Sequence, residues 1–102
     1  MRLRYSRRAI RHLYRISAHI AQDSPTAAVT VGRRLHEVVV MLGQYPKLGH
    51  VGSVRDTREF PVPDLPYIVV YRVLPKRDEL RIAGIYHGAQ LRPGQKSLGT
   101  ED

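Results

Sequence analysis

The sequence predicts an α+β fold in which an N-terminal helical hairpin packs on one face of a small antiparallel β-sheet. Two stretches in the first half of the chain place apolar residues at helical spacing, and a serine precedes each of them. The second half contains runs of β-branched and aromatic residues that are separated by turns rich in proline and charge. The chain has 102 residues, which is the size of one small domain.

A short strand is predicted at residues 3–5, and the first helix follows it directly. Ser6 stands where an N-cap residue is needed. Apolar residues then recur at intervals of three and four, which predicts one buried helical face that ends near Gln22. The opposite face is basic and consists of Arg8, Arg11, His12, Arg15 and His19, of which the two histidines are expected to be solvated.

Ser24 and Pro25 mark the start of the second helix, because serine is a good cap and proline is tolerated at the first helical position. Gly43 is expected to end this helix. Residues 38–41 form an unusually apolar run, so we expect them to contact both the sheet and a partner. The buried stripe of the helix consists of Ala28, Val31, Leu35, Val38 and Leu42.

The second half of the chain begins with a predicted exposed loop at residues 44–56, which hold one proline and two glycines. Three strands are predicted after this loop. The second of them is apolar on both faces except for Arg72, and it is therefore predicted to be central in the sheet. Gly84 in the last strand indicates a close backbone approach. The strands are predicted at residues 57–62, 67–74 and 80–86. We interpret residues 1–92 as a single domain and the polar residues 93–102 as a loose tail.

The charge of the chain is strongly positive and unevenly distributed. The formal net charge is +8, and residues 1–50 hold nine lysines and arginines against two acidic residues. Such asymmetry indicates an acidic partner, either a nucleic acid or an acidic protein. Cysteine is absent, which excludes disulfides and thiolate chemistry. The sequence shows neither a membrane-spanning apolar run nor a secretory signal, so a soluble cytoplasmic protein is predicted.

Several well-known catalytic motifs are missing from the sequence. It has no glycine-rich phosphate loop, no H-E-x-x-H, no C-x-x-C and no nucleophile elbow. The five histidines do not show the spacing of metal ligands. We therefore expect neither a metal nor another cofactor.

The remaining candidates for chemistry are basic and acidic residues on the predicted strands. His87 at the end of the last strand suits general acid–base catalysis near pH 7, although a histidine there can equally bond a nearby carbonyl. Glu59 is a possible base. Arg72 either forms an ion pair with Glu59 inside the sheet or lines an open basic site for phosphate. Arg58 and Arg92 are the further candidates for binding phosphate or a target surface.

The stretch "TREFPVPDLPYIVVYRVLPKRDELRIAGIYHGAQ" (57–90) resembles the RelE/ParE superfamily of toxins from bacterial type II toxin–antitoxin modules. The features that match are a central "YxVxYRV" strand, a short polar hairpin and a last strand that closes in "H-G-A-Q". The segments "YSRRAIRHLYRISAHIAQDSP" and "YPKLG" also resemble the superfamily, and the resemblance spans roughly residues 3–92.

The resemblance implies a toxin that arrests growth when it is released from a cognate acidic antitoxin, whose tail wraps the toxin in a hetero-oligomer. We expect the antitoxin to contact Arg8, Arg11, Arg15, Val39 and Met41. The resemblance also implies one of two activities. RelE-like members cut mRNA in the ribosomal A site, whereas ParE-like members poison DNA gyrase and have no known hydrolytic chemistry.

The sequence departs from the ribonuclease pattern at several positions. Ile68 stands where those toxins often carry an arginine, and "REFPV" replaces a strand that carries lysines. No residue after Arg92 matches their C-terminal catalytic tyrosine, although His87 matches a histidine that some relatives use. These departures favour gyrase inhibition. The alternatives are a ribosome-dependent endonuclease that uses His87, Glu59, Arg58 and Arg72, and an inactive homologue that acts as a binding module.

Overall fold

A computed structural model describes residues 1–88, which form two helices packed against one face of a five-stranded sheet. The strand order is β1-β5-β4-β3-β2. The predicted α+β class and the helical hairpin are confirmed. In chain order the elements are β1 (Arg2–Tyr5), α1 (Arg7–Ala21), α2 (Pro25–Gln44), β2 (His50–Val51), β3 (Arg58–Pro61), β4 (Tyr67–Leu74), a short 3₁₀ turn (Pro75–Arg77) and β5 (Glu79–His87).

Both helices begin at the serine caps that the sequence predicts. The Ser6 hydroxyl accepts a hydrogen bond from the Ala9 amide at 3.0 Å, and the Ser24 hydroxyl accepts one from the Ala27 amide at 3.1 Å. The predicted end of α2 at Gly43 is wrong by one residue, because the helix continues to Gln44. Gly43 instead packs closely against β1, since a Cβ atom there would lie 2.8 Å from the end of the Leu3 side chain, which would have to shift.

The sheet is mixed rather than purely antiparallel. Strand β4 pairs with β3 and β5 in antiparallel fashion, whereas β1 pairs with β5 in parallel. A parallel pair needs a long connection between its strands, and the intervening helical hairpin and strands supply it. Part of the predicted loop 44–56 also forms a strand, because His50–Val51 pairs with β3.

The hydrophobic core lies between the helices and the sheet, and α2 contributes much of it. Val39 is 0% exposed, whereas Val40 is 40% exposed. The expected antitoxin contact at Val39 therefore needs correction, because its side chain faces the core and Val40 is the residue of the run that reaches the surface. Met41 is half-buried and packs against the same core. The core residues of α2 and the sheet include Leu35, Val38, Leu42, Val69, Tyr71, Leu80 and Ile82.

Helix α1 lies beside β5 at the point where β1 has ended. Strand β5 carries an extra residue, Ala83, because Tyr71 pairs with Ile82 and Val70 pairs with Gly84. The Ser6 hydroxyl donates to the Ala83 carbonyl at 3.1 Å. The N-cap side chain of α1 thus bonds the edge of β5 just beyond its pairing with β1.

The close backbone approach that Gly84 indicates is confirmed. A Cβ atom at this position would lie 2.7 Å from the Tyr86 ring and 3.1 Å from the His12 ring. His12 is only partly exposed, so the expectation that it belongs to a solvated basic face is wrong.

Within residues 1–88, neither helix combines the length and the apolar character that crossing a bilayer requires.

Candidate functional site

The face of the sheet opposite the helical hairpin carries most of the charged side chains of the strands; we call it the outer face. Side chains alternate along a strand, and directly paired residues share a face. Tyr71 lies in the core beneath the hairpin, so Arg72 points to the outer face. The register adds Glu59 from β3 to this face, because Glu59 pairs with Val70.

Three arginines lie side by side across the outer face, one on each of three adjacent strands. Arg4 of β1 pairs with Arg81 of β5, and Arg81 pairs with Arg72 of β4. We call these three residues the arginine row. Like charges directly opposite one another on neighbouring strands repel, so a nearby negative charge or an anionic ligand would stabilise the row.

Glu79 supplies part of that compensation from a buried position. Its residue is only 2% exposed, and its carboxylate accepts hydrogen bonds from Arg81 at 2.8 and 2.9 Å. The Nε atom of Arg4 lies 3.8 Å from the same carboxylate. Arg72 donates to the Arg55 carbonyl at 3.1 Å. Two of the three guanidinium groups, those of Arg4 and Arg81, therefore approach the same carboxylate, and the row keeps a net positive charge.

Glu59 is buried at the base of a small cavity on the outer face and is only 3% exposed. Its carboxylate accepts a bond from the Ser53 amide at 3.3 Å and lies 3.6 Å from the His50 Nε2 atom. The cavity holds about 50 Å³, which is too small for a nucleotide. Its lining includes Arg8, Val54, Thr57, Arg72, Ala83 and Tyr86. The loop and the strand thus enclose Glu59.

His87 is the last residue of β5 and is exposed. It pairs with Tyr67, and the two rings meet edge to face with centroids 5.8 Å apart. Tyr67 and Val70 are three residues apart on β4, so their partners His87 and Glu59 lie on opposite faces of the sheet. The structure therefore does not bring together the two groups that the sequence predicts as acid and base.

The predicted phosphate-binding arginines occupy different positions. Arg58 pairs with Tyr71, which puts it on the hairpin side of the sheet, and it donates to the Gly49 carbonyl at 2.6 Å. Arg58 and Arg72 nevertheless line the same shallow depression at this end of the sheet. Arg92 lies outside the described residues.

The hairpin carries a second candidate surface, which combines basic and apolar side chains. A groove of about 370 Å³ runs between the two helices and is lined by residues that include Ile10, Tyr14 and Gly32. Tyr14 is 74% exposed at this groove, and Val29 on α2 is also exposed. The three arginines that we expect to contact an antitoxin, Arg8, Arg11 and Arg15, are all exposed on α1.

The electrostatic environment of α1 affects one of its histidines. Burial, followed by the positive charges of Arg15, Arg8 and Arg11, lowers the pKa of His12 below its ordinary value of 6.5. Burial raises the pKa of Tyr5 and of Tyr71. Among residues 1–88, no group of three histidine or carboxylate side chains is placed to hold a metal ion.

Reasoning from the sequence missed the arginine row and its carboxylate. A signal was nevertheless present in two short stretches. Charged and apolar residues alternate in "RLRY" (2–5) and in "ELRI" (79–82), which is typical of strands with one polar face. What the sequence does not contain is the parallel pairing that brings Arg4 next to Arg81.

Comparison with known proteins is consistent with this geometry. A family model described as "ParE toxin of type II toxin-antitoxin system, parDE" matches residues 3–92. A curated relative from Sinorhizobium fredii (strain NBRC 101917 / NGR234), named "Putative toxin Y4kP", is 39% identical over 92 residues; the match covers 90% of this chain and 93% of the relative.

Solved structures share the fold. The chromosomal ParDE toxin–antitoxin system from P. aeruginosa contains a chain with a TM-score of 0.75 and 24% identity, covering 85% of this chain and 95% of that one. A chain of the intact E. coli RelBE toxin–antitoxin complex gives a TM-score of 0.65 at 15% identity, and the match covers 87% of this chain and 98% of that one. The isolated E. coli RelE toxin gives a TM-score of 0.64 at 16% identity, and the match covers 90% of this chain and 87% of that one. The match over residues 3–92 and the curated relative show that this chain belongs to the ParE toxin family of type II toxin–antitoxin systems.

Proposed function

We propose that this toxin arrests growth in the cytoplasm by binding to and inhibiting DNA gyrase, without hydrolytic chemistry of its own. The observation that carries the proposal is the separation of the two candidate catalytic groups, since Glu59 and His87 lie on opposite faces of the sheet. Metal-independent RNA cleavage needs a proton acceptor and a proton donor around one phosphate. Two groups on opposite faces cannot act together on that phosphate.

We propose a cognate acidic antitoxin as the partner that holds the toxin inactive in a hetero-oligomer. The P. aeruginosa and E. coli relatives that share the fold are described as toxin–antitoxin assemblies. The hairpin groove provides exposed apolar area at Ile10 and Tyr14, and Arg11 and Arg15 lie on the same helix. An acidic amphipathic segment would bury its apolar side chains in the groove and place its carboxylates beside the arginines. The antitoxin would also contact Arg8 and Met41, which are not part of the groove lining.

Ribosome-dependent cleavage of mRNA is the second candidate function. It is favoured by one observation, the exposure of His87 at the end of β5. In this case His87 would act as acid or base with a group from the ribosome or the mRNA as its counterpart, and Arg58, Arg72 and Arg92 would contact phosphate. The third possibility, an inactive homologue that serves only as a binding module, needs no catalytic group.

The test is induction of the toxin without an antitoxin, with DNA supercoiling and translation measured separately in the same culture. Gyrase inhibition predicts a loss of negative supercoiling and a DNA-damage response before translation falls. The matched variant is His87→Ala, which should keep full toxicity because His87 is exposed and takes no part in the core.

Three results would contradict the proposal. If translation stops first, and His87→Ala abolishes toxicity while the protein stays folded, the toxin is a nuclease. If induction has no effect on growth, the chain is a binding module. Purified toxin that leaves gyrase supercoiling unchanged at a large molar excess would also contradict gyrase inhibition.

A further inference from the structure

The arginine row differs from the hairpin surface in what surrounds it. The large apolar side chains that are exposed within residues 1–88 lie at the N-terminus, on the helices and around the loop after α2; they are Met1, Ile10, Tyr14, Val29, Val40, Tyr45, Leu48 and Val51. The outer face therefore presents cations without an apolar centre. Protein interfaces are usually built around a buried apolar centre, whereas binding to a phosphate backbone requires only positioned cations.

The spacing of the row suits a line of phosphates. Neighbouring strands are about 4.8 Å apart, so the Cα atoms of Arg4, Arg81 and Arg72 span about 10 Å. Guanidinium groups bind phosphate oxygens through pairs of parallel hydrogen bonds. The buried Glu79 carboxylate holds Arg81 at 2.8 Å and so fixes the centre of the row, while the Arg4 side chain remains 64% exposed.

Additional positive charge extends the row at both sides. Arg2 is exposed two residues before Arg4 on the same strand face, and its guanidinium donates to the Arg77 carbonyl. Arg8 lines the same small cavity as Arg72. Glu59 and Glu79 are acidic residues of this face, and both are buried. Asp56 is an exposed acidic residue that lines the depression beside Arg72, and its carboxylate lies 4.0 Å from the Arg55 Nε atom. The guanidinium groups of this face outnumber it, so a ligand that approaches meets a net positive charge.

We infer that the arginine row binds the phosphate backbone of duplex DNA, and that this binding does not require gyrase. Duplex DNA is favoured over a single strand because single strands are held chiefly by bases that stack on exposed aromatic rings. Tyr86, the aromatic residue that points to this face, is buried and contacts the His12 ring edge to face at 4.9 Å. A duplex offers one negative charge per ~1.7 Å of its axis without any need for stacking.

The inference goes beyond gyrase inhibition, since it concerns the nucleic acid and not the enzyme. It would place the toxin on the DNA segment that a DNA-processing enzyme handles. Because the face makes backbone contacts only, binding should show no sequence preference and a strong dependence on salt.

The experiment measures the binding of the purified full chain to a fluorescein-labelled duplex of about 20 base pairs, by anisotropy over a series of salt concentrations and without gyrase. The test variant is the double substitution Arg4→Gln/Arg72→Gln. The matched control is Arg33→Gln/Lys47→Gln, which removes the same charge from exposed residues of α2 and the loop that follows it. Circular dichroism verifies that each variant is folded.

The expected result is a smaller salt dependence in the test variant only. Each lost phosphate contact should reduce the slope of log K against log salt by about 0.9, so the double variant should lose about two units of slope and at least tenfold in affinity near 0.1 M salt. Arg4→Lys/Arg72→Lys keeps the charges and should recover most of the slope. This variant also keeps the proposal testable if the glutamine variant fails to fold.

Three results would overturn the inference. If the control loses as much affinity as the test variant, binding reflects the overall charge and not the row. If single-stranded RNA or polyglutamate binds as tightly as the duplex, the outer face binds another class of ligand. If no binding to the duplex is detected at low salt, the proposed DNA site is rejected. Gyrase inhibition would be unaffected by this result, because the supercoiling assay tests it separately.

Discussion

The Nδ1 atom of His12 accepts a hydrogen bond from the backbone amide of Ile85 at 3.0 Å. Strand β1 ends at Tyr5, so β5 has no strand neighbour on that side at Ile85. A buried amide that lacks a partner costs about 1–3 kcal/mol, and the histidine ring takes the place of a strand carbonyl. Because Nδ1 must be unprotonated to accept this bond, the neutral form of His12 is the form that the fold requires.

We predict that the protein loses stability as the pH falls below about 6.5, the ordinary pKa of histidine. The pKa of His12 is lowered in the folded protein by burial and by Arg15, Arg8 and Arg11. In this range the unfolded chain binds more protons at this site than the folded chain, so unfolding becomes easier as protons are added. Urea unfolding between pH 5 and pH 7.5 measures the effect.

The variant His12→Asn should have a lower stability at pH 7 and a weaker dependence of stability on pH. The matched control is His19→Asn, because His19 is exposed on the same helix. It should keep the pH dependence of the parent protein. Equal pH slopes in the parent and in His12→Asn would mean that other groups cause the acid sensitivity.

How much of the fold the sequence predicts depends on whether the relevant contact is local. Ser6 and Ser24 were identifiable as helix caps because the bonds of a cap join residues three apart. The run of β-branched and aromatic residues in "YIVVYRVL" also identifies a central strand locally, as β4 confirms. The role of His12 was not predictable in this way, because its partner Ile85 is 73 residues away.

The candidate site illustrates the same limit. The sequence predicts Glu59 and His87 as one catalytic pair, since both lie on strands and have suitable chemistry. Which face each side chain occupies depends on strand register, and a shift of one residue reverses it. The structure places the two on opposite faces. Arg4 and Arg81 are brought together by a parallel pairing that no local signal specifies.

We predict opposite effects for two glycine-to-alanine substitutions. Gly84→Ala should destabilise the protein by about 1–3 kcal/mol, because overpacked side chains must move. The new Cβ atom would lie 2.7 Å from the Tyr86 ring and 3.1 Å from His12. Gly32→Ala should stabilise the protein by about 0.5–1 kcal/mol, because alanine favours a helix and nothing lies within 4 Å of the new Cβ atom. Thermal unfolding of both variants is the measurement, and destabilisation by both would contradict the packing argument.

The Glu79–Arg81 pair should respond asymmetrically to mutation. Arg81→Gln should cost about 3 kcal/mol, because it leaves a buried carboxylate without its main partner. Glu79→Gln should cost less, because the Arg81 side chain is 39% exposed and can be solvated. Glu37→Gln serves as the control, since Glu37 forms an exposed ion pair with Arg34 and should lose less than about 1 kcal/mol. Equal losses for Arg81→Gln and Glu79→Gln in urea unfolding would contradict this account.

Tyr71 connects the central strand to the loop that follows α2, and its hydroxyl should be important for stability. The hydroxyl donates to the Pro46 carbonyl at 2.7 Å and accepts a bond from the Gly49 amide at 2.9 Å. Tyr71→Phe keeps the ring but leaves both backbone groups without this partner, so we expect a loss of about 1–3 kcal/mol. Tyr14→Phe is the matched control, because its side chain is exposed at the hairpin groove and should lose almost nothing.

Hydrogen exchange would show where the Tyr71→Phe effect arises. The Gly49 amide is buried and bonded to the hydroxyl, so its protection should fall most, with the paired residues of β2 next to it also affected. The amides of α1 should change only as much as the global stability does. Unchanged protection at Gly49 together with a normal free energy of unfolding would show that the loop is held by the Arg58 bond to the Gly49 carbonyl instead.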